Sequence, residues 1–135
     1  MPRKKVRPTW DVFFMRIAKD VSTRASCPRA SVGAVVVRNS RILTTGYNGA
    51  PAGEPHCTDV GCLVVDNHCQ RAIHAEANAI AEAANLGVSL AGATMYFWDS
   101  TGRGVPCYNC LNLMKAAGIV KIINNFNDIT VRQTI

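Results

Sequence analysis

The stretch IHAEANAIAEAANLG, from Ile73 to Gly87, places a histidine and a glutamate two residues apart at the start of an alanine-rich run. Alanine has the highest helix propensity, and the run contains no proline. Gly87 suits the left-handed position that often follows the last residue of a helix. The sequence therefore predicts a helix over residues 74–87, with His74 and Glu76 in its first turn.

Strand patterns lie on both sides of this helix. The segment SVGAVVVR (Ser31–Arg38) is rich in β-branched residues, Asn-Ser marks a turn, and RILTTGY (Arg41–Tyr47) follows, so the two segments predict an antiparallel hairpin. ATMYFW (Ala93–Trp98) predicts a further strand after the helix. Between Asn48 and Ala72 no periodicity is visible, and such a long irregular stretch is usually functional or held by something other than a core.

Two more helices and one more strand complete the pattern. Apolar residues recur at helical spacing from Trp10 to Val21 with Thr9 as the expected N-cap, and CYNCLNLMKAAG (107–118) ends in glycine as the earlier helix does. IVKII (119–123) predicts the last strand. This order predicts an α/β protein whose mixed sheet combines an antiparallel hairpin with parallel crossover strands and is flanked by helices.

The composition indicates one folded domain. The chain has 135 residues, of which 48% are hydrophobic and 18% charged, as in ordinary globular domains. We expect a basic, flexible leader at residues 1–8 and a single domain over 9–135. No apolar stretch approaches the roughly 20 residues that span a bilayer, and no secretory signal is evident, so we expect a cytoplasmic protein without membrane contact.

The net charge of +6 is concentrated in the leader. Without its four basic residues, eleven basic residues stand against nine acidic ones, which leaves a net charge of +2. A nucleic-acid enzyme should carry a basic face across its folded body. A solvated leader therefore explains the charge better than a nucleic-acid partner, although a basic arm that touches nucleic acid stays an alternative.

His74, Cys107 and Cys110 form the candidate catalytic metal site. A catalytic zinc site uses three protein ligands and keeps one position open for water, and histidine with cysteine thiolates is a common set. All three residues are expected in the first turn of a helix, where the helix dipole lowers the pKa of a thiol. The sequence therefore predicts a catalytic Zn²⁺ on these three side chains.

Glu76 is the candidate catalytic residue. It lies too close to His74 to be a comfortable second ligand, whereas a carboxylate beside a zinc-activated water can move protons. H-x-E followed by P-C-x-x-C is the known signature of zinc nucleobase deaminases, and His-Ala-Glu and Pro-Cys-Tyr-Asn-Cys match it. The motifs predict hydrolytic deamination, and the alternative is a chance pairing of a core histidine, a surface glutamate and a structural metal pair.

Four other cysteines remain, in a chain for which we expect reduced thiols. They are enough for a closed structural zinc site that would hold the irregular stretch. His56 or His68 would be an alternative ligand, and some of these thiols would otherwise be small buried apolar residues. The four candidates for a second Zn²⁺ are Cys27, Cys57, Cys62 and Cys69.

The chain resembles the deoxycytidylate (dCMP) deaminase family, within the cytidine deaminase-like superfamily, over residues 10–123. The motifs that carry the resemblance occur in the family's order, and TGYNGAPAG is the most specific of them. They are VGAVVV, RILTTGYNGAPAG, PHC, GC, IHAEANAI, GATMYFW, PCYNC and AGIVKII.

The resemblance implies a three-layer fold with helices on both faces of the sheet, and conversion of dCMP to dUMP for dTTP supply. It also implies a homohexamer with dCTP and dTTP as effectors, Mg²⁺ with a triphosphate effector, and a second zinc in some members, for which Cys27 and Cys57 match ligand positions. Asn48 matches a substrate-binding asparagine, and the family's effector site uses the same region, which includes Gly49.

The residues themselves add two candidate contacts to the nucleotide. Backbone N–H groups at the start of the predicted helix, near Ala75, suit an anion, and Arg29 is a candidate for the 5′-phosphate by charge and position, its alternative being a surface arginine.

Two departures from the family keep a non-catalytic role open. The segment Trp98–Val105 is several residues longer than usual before Pro-Cys, and the tyrosine that usually follows the last strand is replaced by Asn-Asn-Phe-Asn-Asp. The alternatives are a deaminase acting on dCTP, one acting on a polynucleotide such as transfer RNA, or a non-catalytic nucleotide-binding regulator that keeps the fold. Glu76 argues against the regulator.

Overall fold

The protein is described by a computed structural model that covers residues 3–103, 106–125 and 131–134. These ranges contain four helices and seven strands. In chain order they are α1 (Trp10–Ser22), β1 (Val32–Arg38), β2 (Arg41–Tyr47), α2 (Cys57–Val60), β3 (Val64–Val65), β4 (His68–Cys69), α3 (Ala75–Leu86), β5 (Thr94–Asp99), α4 (Tyr108–Ala116), β6 (Lys121–Asn124) and β7 (Val131–Thr134).

A mixed sheet of five strands forms the centre of the fold, in the order β2-β1-β5-β6-β7. Strand β1 pairs antiparallel with both β2 and β5, whereas β5 and β6 are parallel and are joined through α4. The predicted hairpin, the parallel crossover and the α/β class are thus confirmed. Strand β7 pairs antiparallel with β6.

Successive residues of β1 supply two separate cores because side chains alternate between the faces of a sheet. Ala34 and Val36 pack on one face with residues of α3 and α4, including Ala79 and Met114. Val35 and Val37 pack on the other face with α1. Helices therefore cover both faces, and the predicted three-layer arrangement is confirmed.

Helix α3 lies unusually close to β2. A methyl group added to Gly46 would collide with the Ala75 carbonyl oxygen and the Ala79 amide. Thr44 donates a hydrogen bond of 3.0 Å to the Ala79 carbonyl, and the Asn78 side chain donates one of 2.8 Å to the Tyr47 carbonyl. These contacts hold the first turns of α3 against the strand.

The structure adds elements that the sequence pattern did not predict. The short helix α2 and the two-residue strands β3 and β4 lie inside the stretch between Asn48 and Ala72, and each is too short to show a period. β7 was also not predicted. Within the described ranges, no helix is both long and apolar enough to cross a membrane.

Candidate active site

His74, Cys107 and Cys110 meet where the N-terminal ends of α3 and α4 come together. His74 is the N-cap of α3 and Cys107 the N-cap of α4, while Cys110 lies in the first turn of α4. The His74 Nδ1 atom is 3.4 Å from Cys107 Sγ and 3.3 Å from Cys110 Sγ. Residues 33 and 36 positions apart in the sequence are therefore neighbours.

The spacing of these atoms fits a tetrahedral zinc site. Zinc bonds of about 2.3 Å to sulfur and about 2.0–2.1 Å to nitrogen place a sulfur and a nitrogen ligand roughly 3.5 Å apart. All three ligand atoms lie within 4.8 Å of one another, and among the described residues no fourth histidine, cysteine or carboxylate joins the group. Such a three-ligand set leaves a coordination position for water.

Electrostatics at Cys110 also favour a cation. Burial raises the pKa of the Cys110 thiol, and the nearby Glu76 carboxylate and Cys107 raise it further. A thiolate here would face a second negative group in a water-poor environment. A divalent cation bound between the sulfurs would remove that penalty, because metal binding deprotonates a coordinating thiol.

Glu76 is almost completely buried, with 3% of its surface exposed, although it lies on the wall of a cavity. Burial raises the pKa of its carboxyl, while a hydrogen bond from its own backbone amide and the charge of His74 act in the opposite direction. A carboxyl with a raised pKa can both accept and release a proton near neutral pH. Glu76 is therefore equipped for acid–base work beside the candidate metal ligands.

The cavity in front of these residues has a volume of about 410 Å³, within the range of about 300–1,000 Å³ that is typical of small-molecule sites. Its lining includes the buried residues Ala75, Glu76 and Phe97. Exposed residues line it as well, among them Arg29, Asn67, Thr101 and Arg103. The cavity thus combines an enclosed part beside Glu76 with a polar rim that carries two arginines.

The substrate residues predicted from sequence fall into two groups. Arg29, Asn48 and Ala75 line the cavity. Gly49 does not; its backbone pairs with Ile73, and a methyl group on it would lie 2.6 Å from the Ser26 hydroxyl.

The Asn48 side chain is engaged with backbone groups of its own chain. It accepts a hydrogen bond of 2.8 Å from the Val32 amide and donates one of 2.8 Å to the Ala30 carbonyl. Asn48 therefore positions the segment that enters β1, beside any contact that it makes with a ligand.

Among the residues of the cavity that sequence reasoning missed are three polar side chains of one segment. Asp99 is the last residue of β5, Thr101 and Arg103 follow it, and all three belong to a segment that was predicted only as a loop. A loop without a hydrophobic period gives no indication of which element it packs against. Its single arginine was the one feature that could have marked it as a candidate for the binding site.

A second sulfur cluster lies in the stretch that contains α2. The Sγ atoms of Cys27, Cys57 and Cys62 are within 4.8 Å of one another, and Cys69 Sγ is 3.4 Å from Cys57 Sγ. All of these cysteines are free thiols. The cluster brings together the four residues that sequence analysis singled out.

The alternative histidine ligands differ in what the structure describes. His56 Nδ1 lies 2.7 Å from the Ser26 hydroxyl and is hydrogen-bonded to it, and His56 is not among the residues grouped with Cys27, Cys57 and Cys62. The side chain of His68 lies outside the described residues.

The thiols of this cluster differ in their pKa values. Burial, with Cys69 and Cys62 nearby, raises the pKa of Cys57 to about 12. Burial acts in the same direction on Cys69, but hydrogen bonds from the backbone of Ala72, Arg71 and Leu63 outweigh it and lower its pKa to about 6. The lowered pKa places a negative charge on Cys69, 3.4 Å from the sulfur of Cys57, and a structural zinc ion would stabilise such a thiolate.

Comparisons with known proteins agree with this geometry. The sequence profile of the family described as "Cytidine and deoxycytidylate deaminase zinc-binding region" matches residues 8–125. The chain is 43% identical to "ComE operon protein 2" of Bacillus subtilis over 113 residues, which are 84% of this chain and 57% of that protein. It therefore spans little more than half of that relative.

Two further relatives have names that state an activity. The chain is 39% identical over 128 residues to the "Deoxycytidylate deaminase" of Mycobacterium phage D29, with 87% of this chain and 94% of that protein covered.

The other is a solved structure, the dCMP deaminase of cyanophage S-TIM5 in complex with dCMP and dUMP. It superposes with a TM-score of 0.72 at 28% identity, over 89% of this chain and 83% of that one. With a profile match over most of its length, a zinc-compatible histidine and cysteine set, and the fold of a solved relative, this chain belongs to the cytidine and deoxycytidylate deaminase family.

Proposed function

We propose that the protein is a dCMP deaminase, a zinc-dependent hydrolase that converts dCMP and water to dUMP and ammonia. The observation that carries the proposal is the placement of buried Glu76 on the wall of one cavity together with His74 and Cys107. The relative of phage D29 and the cyanophage enzyme support the choice of dCMP.

The ligand set determines what the metal contributes. A zinc ion held by His74, Cys107 and Cys110 would supply a water molecule with a pKa near ~7, and so a nucleophile at neutral pH. The helix ends that carry the three ligands hold them in place before substrate arrives. Because His74 Nδ1 faces both sulfurs, the same nitrogen is the one that serves as ligand.

Glu76 carries the protons in this mechanism. Its carboxylate accepts a proton from the attacking water and delivers it to the ring nitrogen of the base. It then takes the second proton from the hydroxyl that the water has left on the ring carbon and carries it to the amine, so that the carbon–nitrogen bond breaks, ammonia leaves and the carbonyl of dUMP forms. Burial favours the protonated carboxyl between these steps, because it raises the pKa of Glu76.

Other residues of the cavity hold the nucleotide. We assign the 5′-phosphate to Arg29 at the exposed rim and contacts of the nucleoside to Asn48 and the backbone of Ala75. Asn48 is already held by two backbone hydrogen bonds, so its orientation costs little entropy when a ligand binds.

A substrate panel tests the proposal. Purified zinc-loaded protein is incubated with dCMP, dCTP, deoxycytidine and a transfer RNA, and ammonia release is followed. We expect the highest kcat/KM with dCMP. Activity on transfer RNA alone would replace the proposal with a polynucleotide deaminase, a preference for dCTP would change the substrate, and the absence of any turnover would favour a nucleotide-binding regulator.

The second sulfur cluster is proposed to hold a structural zinc ion. Cys27, Cys57, Cys62 and Cys69 provide four thiols, the number of ligands that closed structural sites use. Its role would be to hold the stretch of the chain that contains α2, β3 and β4, whose elements are too short to bury a core of their own.

Zinc content measures this second site directly. We expect two zinc ions per chain in the purified protein and one in the Cys62→Ser variant, which should keep the catalytic zinc and unfold at a lower Tm. Asp66→Asn, an exposed change in the turn between β3 and β4, is the matched control and should keep two. A wild-type protein with one zinc per chain would rule out the structural site.

The resemblance to the family supplies further proposals that await their own tests. These are a homohexamer, activation by dCTP and inhibition by dTTP, and Mg²⁺ bound with a triphosphate effector. A cytoplasmic location and the division into a basic leader (1–8) and one domain (9–135) are proposals from the sequence.

A further inference from the structure

Arg103 lies at the rim of the cavity and has no role in the mechanism described above. It is exposed and lines the same cavity as Arg29 and Glu76. Within the described part of the chain, its guanidinium has no carboxylate partner within 4.0 Å and no hydrogen-bond acceptor. Its side chain is thus available to a ligand at the rim of the cavity.

The backbone that carries Arg103 is held in a hydrogen-bonded turn. Asp99 Oδ1 accepts two hydrogen bonds of 2.8 Å from Thr101, one from the amide and one from the hydroxyl. Thr101 Oγ1 in turn accepts a bond of 3.4 Å from the Arg103 amide, and Gly102 closes the turn with a bond of 3.0 Å to the Asp99 carbonyl. Side chains of this kind replace secondary structure in ordering a loop.

The turn is also anchored to the rest of the fold on two sides. The Ser100 amide donates to the Ser31 carbonyl and the Ser100 hydroxyl accepts from the Ser31 amide, both at 2.9 Å. Asn125 accepts a bond of 2.9 Å from the Asp99 amide and donates one of 3.0 Å to the Asp99 carbonyl. The turn therefore has a defined position relative to β1 and β6.

The second arginine of the rim, Arg29, lies only two residues before Ser31. The bonds between Ser31 and Ser100 thus hold the segments of both arginines to each other. Arg29 Nη1 makes one long hydrogen bond of 3.4 Å, to the Asn67 carbonyl, and no other residue that the structure describes accepts from the remaining guanidinium donors, which can therefore bind a ligand. Two guanidinium groups therefore line one rim.

The chemistry of this rim matches a phosphate monoester, which carries about −1.5 to −2 charge at neutral pH. Guanidinium groups bind phosphate oxygens through paired, charge-assisted hydrogen bonds. The Asp99 carboxylate also lines the cavity, but its bonds to Thr101 hold it in the turn. A neutral nucleoside offers no charge to either arginine.

On the basis of the proposed function, we propose that Arg103 is a specificity-determining residue that binds the 5′-phosphate beside Arg29. It distinguishes the nucleotide from the nucleoside, while the enclosed part of the cavity receives the base. The contribution is to binding and not to the chemical step, because Arg103 is exposed and lies on the rim.

Steady-state kinetics of the zinc-loaded 135-residue protein test the assignment. Arg103→Gln should raise KM for dCMP about tenfold or more, as expected for one lost hydrogen bond to a charged group. The value of kcat and the kcat/KM for deoxycytidine should stay within about twofold, the pattern of lost uniform binding. Arg103→Lys should fall between wild type and Arg103→Gln, because a lysine keeps the charge but loses the paired geometry.

A control variant and a measurement of Kd separate a specific loss of phosphate binding from a general loss of function. Arg24→Gln removes an exposed arginine away from the cavity and should change neither constant. The Kd values of dCMP and deoxycytidine are then measured by calorimetry in the Glu76→Gln background, with and without Arg103→Gln. An unchanged KM for dCMP, or an equal loss for dCMP and deoxycytidine, overturns the assignment.

The two proposals can fail separately. If wild-type protein does not deaminate dCMP, the proposed function falls and calorimetry alone decides the role of Arg103. Tighter binding of dCMP than of deoxycytidine that Arg103→Gln abolishes would still support the phosphate contact. Equal Kd values for the two ligands would exclude it.

Discussion

Glu76→Gln is expected to lower kcat for dCMP by roughly 10²–10⁴-fold, the usual contribution of general acid–base catalysis. Glutamine has nearly the same shape and fits the same buried position, but its amide cannot accept and release a proton. The zinc content should therefore remain that of the wild-type protein. Ammonia release under saturating dCMP and metal analysis of the same sample measure the two quantities.

Glu82→Gln is the matched control for this variant, since Glu82 is an exposed residue of the same helix α3. It should keep full activity. A Glu76→Gln protein that works at close to the wild-type rate would show that the proton route does not pass through this carboxyl.

His74→Ala is expected to remove the catalytic zinc and to lower kcat/KM by roughly 10³-fold or more, because activation of water depends on the bound metal. The structure suggests that the fold tolerates this change. His74 is exposed, and its side chain makes no capping hydrogen bond to α3. Metal analysis should find one zinc fewer per chain than in wild type, with a Tm within a few degrees of it.

Asn109→Ala changes an exposed residue in the first turn of α4, next to the two cysteine ligands, and should retain both metal and activity. The assignment of His74 as a ligand would be wrong if His74→Ala kept the full zinc content. Loss of activity with unchanged zinc would instead make His74 a substrate contact.

The large elements could be predicted because their patterns are local. Thr9 was expected as an N-cap, and its side chain accepts a bond of 3.3 Å from the Val12 amide. Gly87 was expected after a helix end, and it has a left-handed conformation with φ 70°. The two halves of the candidate metal site could be paired because each motif opens a helix, and helix ends on one side of a sheet can converge.

Other features of the site could not be predicted from the sequence pattern because they depend on tertiary contacts. The position of Arg103 follows from bonds between Ser31 and Ser100, which are 69 residues apart. The backbone role of Asn48 depends on the path of the chain through Ala30 and Val32. Strands of two residues, such as β3 and β4, have no period at all.

Gly46 affects the position of the candidate active site although it is not a metal ligand and carries no proton. His74 and Glu76 lie at the N-terminal end of α3, and a Cβ atom on Gly46 would lie 2.4 Å from both the Ala75 carbonyl oxygen and the Ala79 amide nitrogen of that helix. Alanine there would push the helix outward while every metal-binding and proton-carrying side chain remained. We therefore expect activity to depend on the distance between helix α3 and strand β2. A search for active relatives should require a glycine at the position of Gly46 together with the histidine, the glutamate and the two cysteines.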